Sequence, residues 1–147
     1  MDTTKWDKRF LEMAKLVSTW SKDPSTKCGA VITRGKHIVS VGFNGFAADC
    51  DDDPLLYDDR NSKYPRIIHA EINAILSAKQ DLNRCRIYVY PLLPCSQCAA
   101  IIIQTGITSI VSYELSSELE ERWGESLQRS KEMCYEAGIS WRTYRNL

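Results

Sequence analysis

Two short stretches, Ile67-Ile68-His69-Ala70-Glu71-Ile72-Asn73 and Pro94-Cys95-Ser96-Gln97-Cys98, decide how this chain is read. One histidine and two cysteines separated by two residues supply three soft or borderline donors. That set suits tetrahedral zinc with the fourth position left to water. A closed structural site would want a fourth protein donor close by. The residue nearest the histidine is instead Glu71, a carboxylate that can carry protons. The pattern therefore predicts a catalytic zinc site, with His69, Cys95 and Cys98 as ligands and Glu71 as general acid and base. Both stretches stand where an apolar helical pattern begins. Two helix N-termini would then face the metal, and their dipoles favour thiolate at Cys95 and Cys98.

Working outward, Ile68 to Lys79 is expected to be a helix with Ile72, Ile75 and Leu76 turned toward the core. Cys85-Arg86-Ile87-Tyr88-Val89-Tyr90 is a β-rich run that Pro91 to Pro94 breaks, and a second helix follows from Cys95 to Gln104, closed by Thr105-Gly106. Thr108 to Tyr113 is the next strand. Ser117-x-x-Glu120 has the form of a capping box opening a charged helix that runs to Ala137 and stops at Gly138, before a last strand from Ile139 to Tyr144. Toward the N-terminus, Asp2 to Thr4 offers caps, and Trp6, Phe10, Met13, Val17 and Trp20 recur at helical spacing up to Ser21 to Pro24. Lys27 to Thr33 and His37 to Phe43 form a hairpin about Arg34-Gly35-Lys36, ended by the turn Phe43-Asn44-Gly45-Phe46. Helices between successive strands imply parallel crossovers. The expected fold is an α/β three-layer α/β/α sandwich on a mixed five-stranded sheet, with residues 1–147 as one domain. Residues 46 to 66 show no periodicity and carry Asp49, Asp51, Asp52, Asp53, Asp58 and Asp59. They read either as a solvated acidic loop or as one that contacts substrate, a neighbouring subunit, or an effector nucleotide with its Mg²⁺.

Composition narrows the classes. Apolar residues make up 44% and charged residues 26% of the 147, ordinary values for a globular domain. No apolar run approaches the roughly 20 residues of a membrane span, and the first residues lack a signal-peptide core, so the cytoplasm is the expected location, a host's if the source is viral. Nineteen basic residues balance nineteen acidic ones, which argues against a surface built to neutralise a polynucleotide. Cys28, Cys50, Cys85 and Cys134 have no ligand spacing and are expected to be reduced thiols.

A metal-activated water beside a carboxylate can hydrolyse many electrophiles, and Glu71 narrows the choice. It can take a proton from the attacking water, pass it to ring nitrogen N3 of a cytosine as C4 is attacked, and move a second proton to the departing amine. His-x-Glu with Pro-Cys-x-x-Cys is the signature of zinc-dependent nucleobase deaminases. The chain resembles the cytidine deaminase superfamily, and within it the deoxycytidylate (dCMP) deaminase branch. The likeness runs through Ser21-Lys22-Asp23-Pro24, Val41-Gly42-Phe43-Asn44-Gly45, Lys63-Tyr64-Pro65, His69 to Ile75, Pro94 to Ala99 and Ala137-Gly138-Ile139.

That resemblance implies zinc-dependent hydrolysis of dCMP to dUMP and ammonia. It places Asn44 against the nucleotide, where it would otherwise be a plain turn residue, and Ser25, Thr26 and Lys27 along the pocket. Lys27 reads equally as a phosphate contact or a surface lysine. Ala70 would leave room for the ring and offer its amide. Tyr113 would cover the sugar or phosphate, or else be a core or interface tyrosine. A homohexamer is implied, with dCTP as activator and dTTP as inhibitor bound near Gly42, Phe43, Asn44 and Gly45. Phe43 stands where the branch has tyrosine and removes a hydroxyl from that turn. Rival readings are a deaminase acting on dCTP, on a free nucleoside, or on a base in tRNA or single-stranded DNA, and a non-catalytic zinc-stabilised nucleotide-binding module. Zero net charge and the acidic segment oppose a nucleic-acid polymer, and Glu71 opposes a silent module.

Overall fold

The computed structural model describes residues 3–145. The elements in order are α1 (Thr4–Ser18), β1 (Gly29–Arg34), β2 (His37–Phe43), β3 (Gly45–Phe46), α2 (Pro54–Asp58), α3 (Arg60–Arg66), β4 (Ile67–Ile68), α4 (Ala70–Ala78), β5 (Arg86–Tyr90), α5 (Ser96–Gln104), β6 (Ser109–Tyr113), α6 (Ser117–Glu136) and β7 (Ser140–Tyr144). The main sheet has the order β2-β1-β5-β6-β7. β1 is antiparallel to both β2 and β5, whereas β5, β6 and β7 run parallel. The mixed five-stranded sheet expected from the sequence is the one observed.

Strand alternation divides the core in two. Ala30, Ile32, Ile87, Val89 and Ile110 face the layer of α4, α5 and α6, while Val31, Tyr88 and Val111 face α1 with Phe10, Leu11 and Ala14. Successive side chains of a strand point to opposite faces, so each central strand feeds both cores. Burying an Ile or Leu completely stabilises by about 1.5–3 kcal/mol, and Leu11, Ile32, Ile87, Ile102 and Ile110 are all fully buried.

Two glycines let helices lie directly on the sheet. A Cβ on Gly29 would stand 2.1 Å from the Ala14 carbonyl oxygen of α1, and one on Gly42 would stand 2.4 Å from the Ala74 nitrogen of α4. Neither neighbour can yield, because both are backbone. On α4 the contact face is accordingly made of small residues, Ala70, Ala74 and Ala78. This overturns one expectation: Leu76 is turned outward and 57% exposed.

Other boundaries also differ from the sequence reading. Trp20 lies beyond the end of α1, exposed and edge-on to Phe43 at 6.1 Å. Thr3 precedes α1 without a side-chain cap, and Asp2 lies outside the described residues. β1 begins at Gly29, and residues 21–28 form a loop. The α6 cap is Ser116, whose Oγ accepts from the Leu119 amide, one residue before the expected box. Residues 46 to 66 contain two short helices, capped by Asp53 and Asp59, which accept from the amides of Leu55 and Asn61 at 3.0 Å. Helices of five and seven residues are too short to print a 3.6-residue period. β3 and β4 pair in a small separate ribbon, and Phe46 stacks on Tyr57 at 4.0 Å, which ties α2 to β3. Among the described residues no helix is long and apolar enough to cross a membrane.

Candidate active site

His69 and Cys95 each occupy the N-cap position of a helix, α4 and α5 respectively, and neither side chain makes a capping hydrogen bond. Both side chains are therefore free to point at a common centre. Cys98 sits in the first turn of α5. The His69 Nδ1 lies 3.2 Å from Cys98 Sγ and 3.5 Å from Cys95 Sγ, and the donor atoms of all three lie within 4.8 Å of one another. Typical Zn–S and Zn–N bonds at a tetrahedral angle place S and N about 3.6 Å apart. The donor set and its spacing thus fit zinc, and no other such group of His, Cys, Asp or Glu occurs among the described residues.

Tertiary contacts fix the ligand-bearing segments. The Ser40 hydroxyl donates to the Ala74 carbonyl at 2.7 Å and the Asn73 amide donates to the Phe43 carbonyl at 2.8 Å, which locks α4 onto β2. On the other side, Ser130 Oγ of α6 donates to the Pro94 carbonyl at 2.7 Å, and the Ser96 amide donates to Ser126 Oγ at 3.1 Å.

The protonation pattern of the cluster follows from burial and its short contacts. A hydrogen bond from Cys98, assisted by one from His69, holds the Cys95 thiol down to about 4. Cys98 is pushed well up, first because it donates that bond and then by burial. The bond to Cys95 raises His69 as well. Glu71, 7% exposed at the second position of α4, is raised chiefly by burial, with His69 opposing. A carboxyl raised in this way keeps its proton to higher pH than an ordinary carboxylate, which suits a general acid and base.

His69, Glu71 and Cys95 floor a cavity of about 440 Å³. Of the residues anticipated from the sequence, His69, Ala70, Glu71, Cys95, Asn44, Ser25 and Thr26 line it. Cys98 is buried and does not line the cavity, but it touches His69, which does. Asn44 has a different use for its amide than a substrate bond alone. Its Oδ1 accepts from the Cys28 amide at 2.8 Å, and its Nδ2 donates to the Thr26 carbonyl at 2.9 Å and to Asp23 Oδ2 at 3.3 Å. It shapes the 21–28 loop that forms one wall. Lys27 does not line the cavity, because its ammonium donates to the Ser21 carbonyl. Tyr113 lies elsewhere too, buried against α1 and edge-on to Tyr90 at 6.0 Å, beside a second cavity. Gly42 is buried under α4, Phe43 is exposed beside Trp20, and Gly45 begins β3.

Several lining residues were not assigned roles from the sequence: Cys28, Tyr57, Arg60, Lys63, Arg122 and Trp123. Lys63 carried a signal as part of Lys63-Tyr64-Pro65. For Arg122 and Trp123 there was none, since only the docking of α6 brings them to the wall. Burial drives the Cys28 thiol far above its ordinary range.

Comparison with known proteins agrees with this geometry. The family model described as the cytidine and deoxycytidylate deaminase zinc-binding region matches residues 4–114. The protein named "Uncharacterized deaminase in luxG 3'region" of Aliivibrio fischeri is 51% identical over 136 residues, covering 92% of this chain and 91% of that protein. The human deoxycytidylate deaminase is 38% identical over 117 residues, covering 75% of this chain and 65% of its own. The crystal structure of dCMP deaminase from the cyanophage S-TIM5 in complex with dCMP and dUMP superposes with a TM-score of 0.74 at 17% identity, covering 95% of this chain and 97% of that one, a likeness of fold. With His69, Cys95 and Cys98 gathered into one donor group and Glu71 beside it, this chain belongs to the cytidine and deoxycytidylate deaminase family.

Proposed function

We propose that the protein hydrolyses dCMP to dUMP and ammonia. The observation that carries this reading is the buried Glu71 carboxyl set beside the three donors His69, Cys95 and Cys98 at a nucleotide-sized cavity. Zinc held by those donors would supply the Lewis acidity that brings a water toward deprotonation near neutral pH. Glu71 accepts that water's proton as its oxygen adds to C4 of the cytosine, and delivers it to N3. It then carries the second proton to the amine, which leaves as ammonia while the C4 carbonyl of uracil forms. Ala70, fully buried between ligand and acid, keeps the wall small where a planar ring must enter. The relatives named deoxycytidylate deaminase, at 38% identity, favour dCMP among cytosine nucleotides.

The reading extends to assembly and control. β2 is an unpaired sheet edge, and Trp20, Phe43 and Leu76 are exposed apolar groups on β2, α4 and the loop after α1. They support a homo-oligomer, a hexamer by the resemblance to the family. Activation by dCTP, accompanied by Mg²⁺, and inhibition by dTTP rest on the same resemblance.

The test is a spectrophotometric deamination assay of the zinc-loaded protein with dCMP, deoxycytidine, cytidine and dCTP, each with and without added dCTP or dTTP. Selective turnover of dCMP is expected, with dCTP raising and dTTP lowering it. Zinc-loaded protein that turns over none of the four would overturn the assignment.

A further inference from the structure

The cavity wall carries three cations from two separate elements. Arg60 and Lys63 are three residues apart on α3 and so share one face of it, and Arg122 enters from α6. Their circumstances differ. The Lys63 side chain is 10% exposed and donates to Asp23 Oδ1 at 2.8 Å. An ammonium has three donors, and one is thereby used. The exposed guanidinium of Arg60 has no hydrogen-bond or ion-pair partner among the described residues. That of Arg122 lies 5.4 Å from the Trp123 ring centroid and likewise has no carboxylate partner among them.

Of the three carboxylates lining the cavity, Asp23 and Glu71 are committed, and Asp58 is exposed beside the three cations. Asp23 serves Lys63, the Ser25 amide at 2.9 Å and the Asn44 amide, and Glu71 belongs to the reaction. Unpaired guanidiniums from two elements lining one cavity, beside a floor whose chemistry does not use them, match an anionic group on the ligand. A planar guanidinium fork also fits phosphate oxygens in a way a lysine cannot.

We propose that Arg60 and Arg122, assisted by the unused donors of Lys63, hold the 5′-phosphate of the nucleotide and make the site select nucleotide over nucleoside. This rests on the reading of the chain as a dCMP deaminase. It moves phosphate recognition from Lys27, which is turned to the Ser21 carbonyl, to the faces of α3 and α6. A clamp of this kind acts on binding, so its removal raises KM and leaves the proton transfers at Glu71 in place.

The experiment is steady-state kinetics on the zinc-loaded full chain and its Arg60→Ala, Arg122→Ala and Arg122→Lys variants, with dUMP and deoxyuridine as paired inhibitors. Each alanine is expected to raise KM for dCMP about ten- to a hundredfold, the range for losing a hydrogen bond to a charged group, with a smaller change in kcat. Inhibition by dUMP should weaken by a similar factor while inhibition by deoxyuridine holds, and Arg122→Lys should recover part of the loss. Equal weakening of dUMP and deoxyuridine would make the arginines structural and overturn the proposal, as would an unchanged KM. If wild-type protein with zinc bound turned over no dCMP, the functional reading would fail by itself. Calorimetric binding of dUMP against deoxyuridine to the same variants would then still decide for or against the clamp.

Discussion

Two buried carboxylates stand on opposite faces of the sheet and have been given opposite treatment. Asp7 of α1, fully buried, accepts from the Tyr88 hydroxyl at 3.0 Å, the Tyr144 hydroxyl at 2.7 Å, and Arg142 through Nε at 3.0 Å and Nη2 at 3.2 Å. Its charge is matched by a guanidinium and its lone pairs are filled. The tyrosines answer to it, both raised first by burial and then by the neighbouring carboxylate. Glu71 of α4 is almost as deeply buried, yet no guanidinium or ammonium pairs with it among the described residues. The difference separates a carboxylate that ties α1 to β5 and β7 from one kept able to change its protonation. Saturated partners stabilise a single charge state, and a proton carrier needs two.

Exchanging the Glu71 carboxyl for an amide tests this contrast most severely. Glu71→Gln should lower kcat for deamination by at least about 10²–10⁴-fold, the usual contribution of a general acid–base group, with zinc content by metal analysis unchanged. In the metal-free protein the same change should raise stability at neutral pH. Because burial raises Glu71 in the folded state, that state holds its proton when the unfolded chain has released it. Stability contributed by the group is then complete below the ordinary value of 4.5 and falls as pH rises through the folded-state value. Thermal melts of wild type and variant should therefore converge in acid and separate toward neutral pH. A gap that widened in acid would contradict the assignment.

The opposite side of the comparison is broken by Asp7→Ala, which strands Arg142 and two tyrosine hydroxyls. Loss of one partner of a buried ion pair costs about 3–5 kcal/mol, to be read from urea unfolding, while kcat per folded molecule should stay within about twofold. A large fall in kcat at full folding would mean that the two faces are coupled.

Gly42→Ala should disturb the Glu71 side selectively. Its new methyl would meet the backbone of α4, and overpacking of this kind costs about 1–3 kcal/mol. Since α4 carries both His69 and Glu71, lower stability should come with weaker zinc retention under chelator challenge. Tyr144→Phe should be the mildest, removing one of four bonds to Asp7 for about 1 kcal/mol with no effect on zinc or turnover. Together the four variants separate what holds the domain from what the domain holds.

Much of this was legible in the chain itself. His69, Glu71, Cys95 and Cys98 could be read from residue type and spacing, because metal chemistry restricts the donors and helix starts restrict where they sit. The mixed character of the sheet followed from a hairpin ahead of alternating strands and helices, whereas the strand order came only from the structure. Periodicity failed where elements were short, as in α2 and α3, and where contact was made by backbone, as on α4, whose Ala face against Gly42 left Leu76 outside.

Residue type alone could not assign the polar residues around the pocket. Asn44, Lys27 and Tyr113 each have groups able to meet a nucleotide, and the structure gives them loop, backbone and core partners respectively. Arg60 and Arg122 carry no local pattern, and only the docking of α3 and α6 brings them with Lys63 to one cavity. Local rules determine which atoms can do chemistry, since those depend on side-chain type and short spacings. Which charges surround them is decided by long-range packing, where Arg60 and Arg122 come to line one cavity for reasons held in the cores between them.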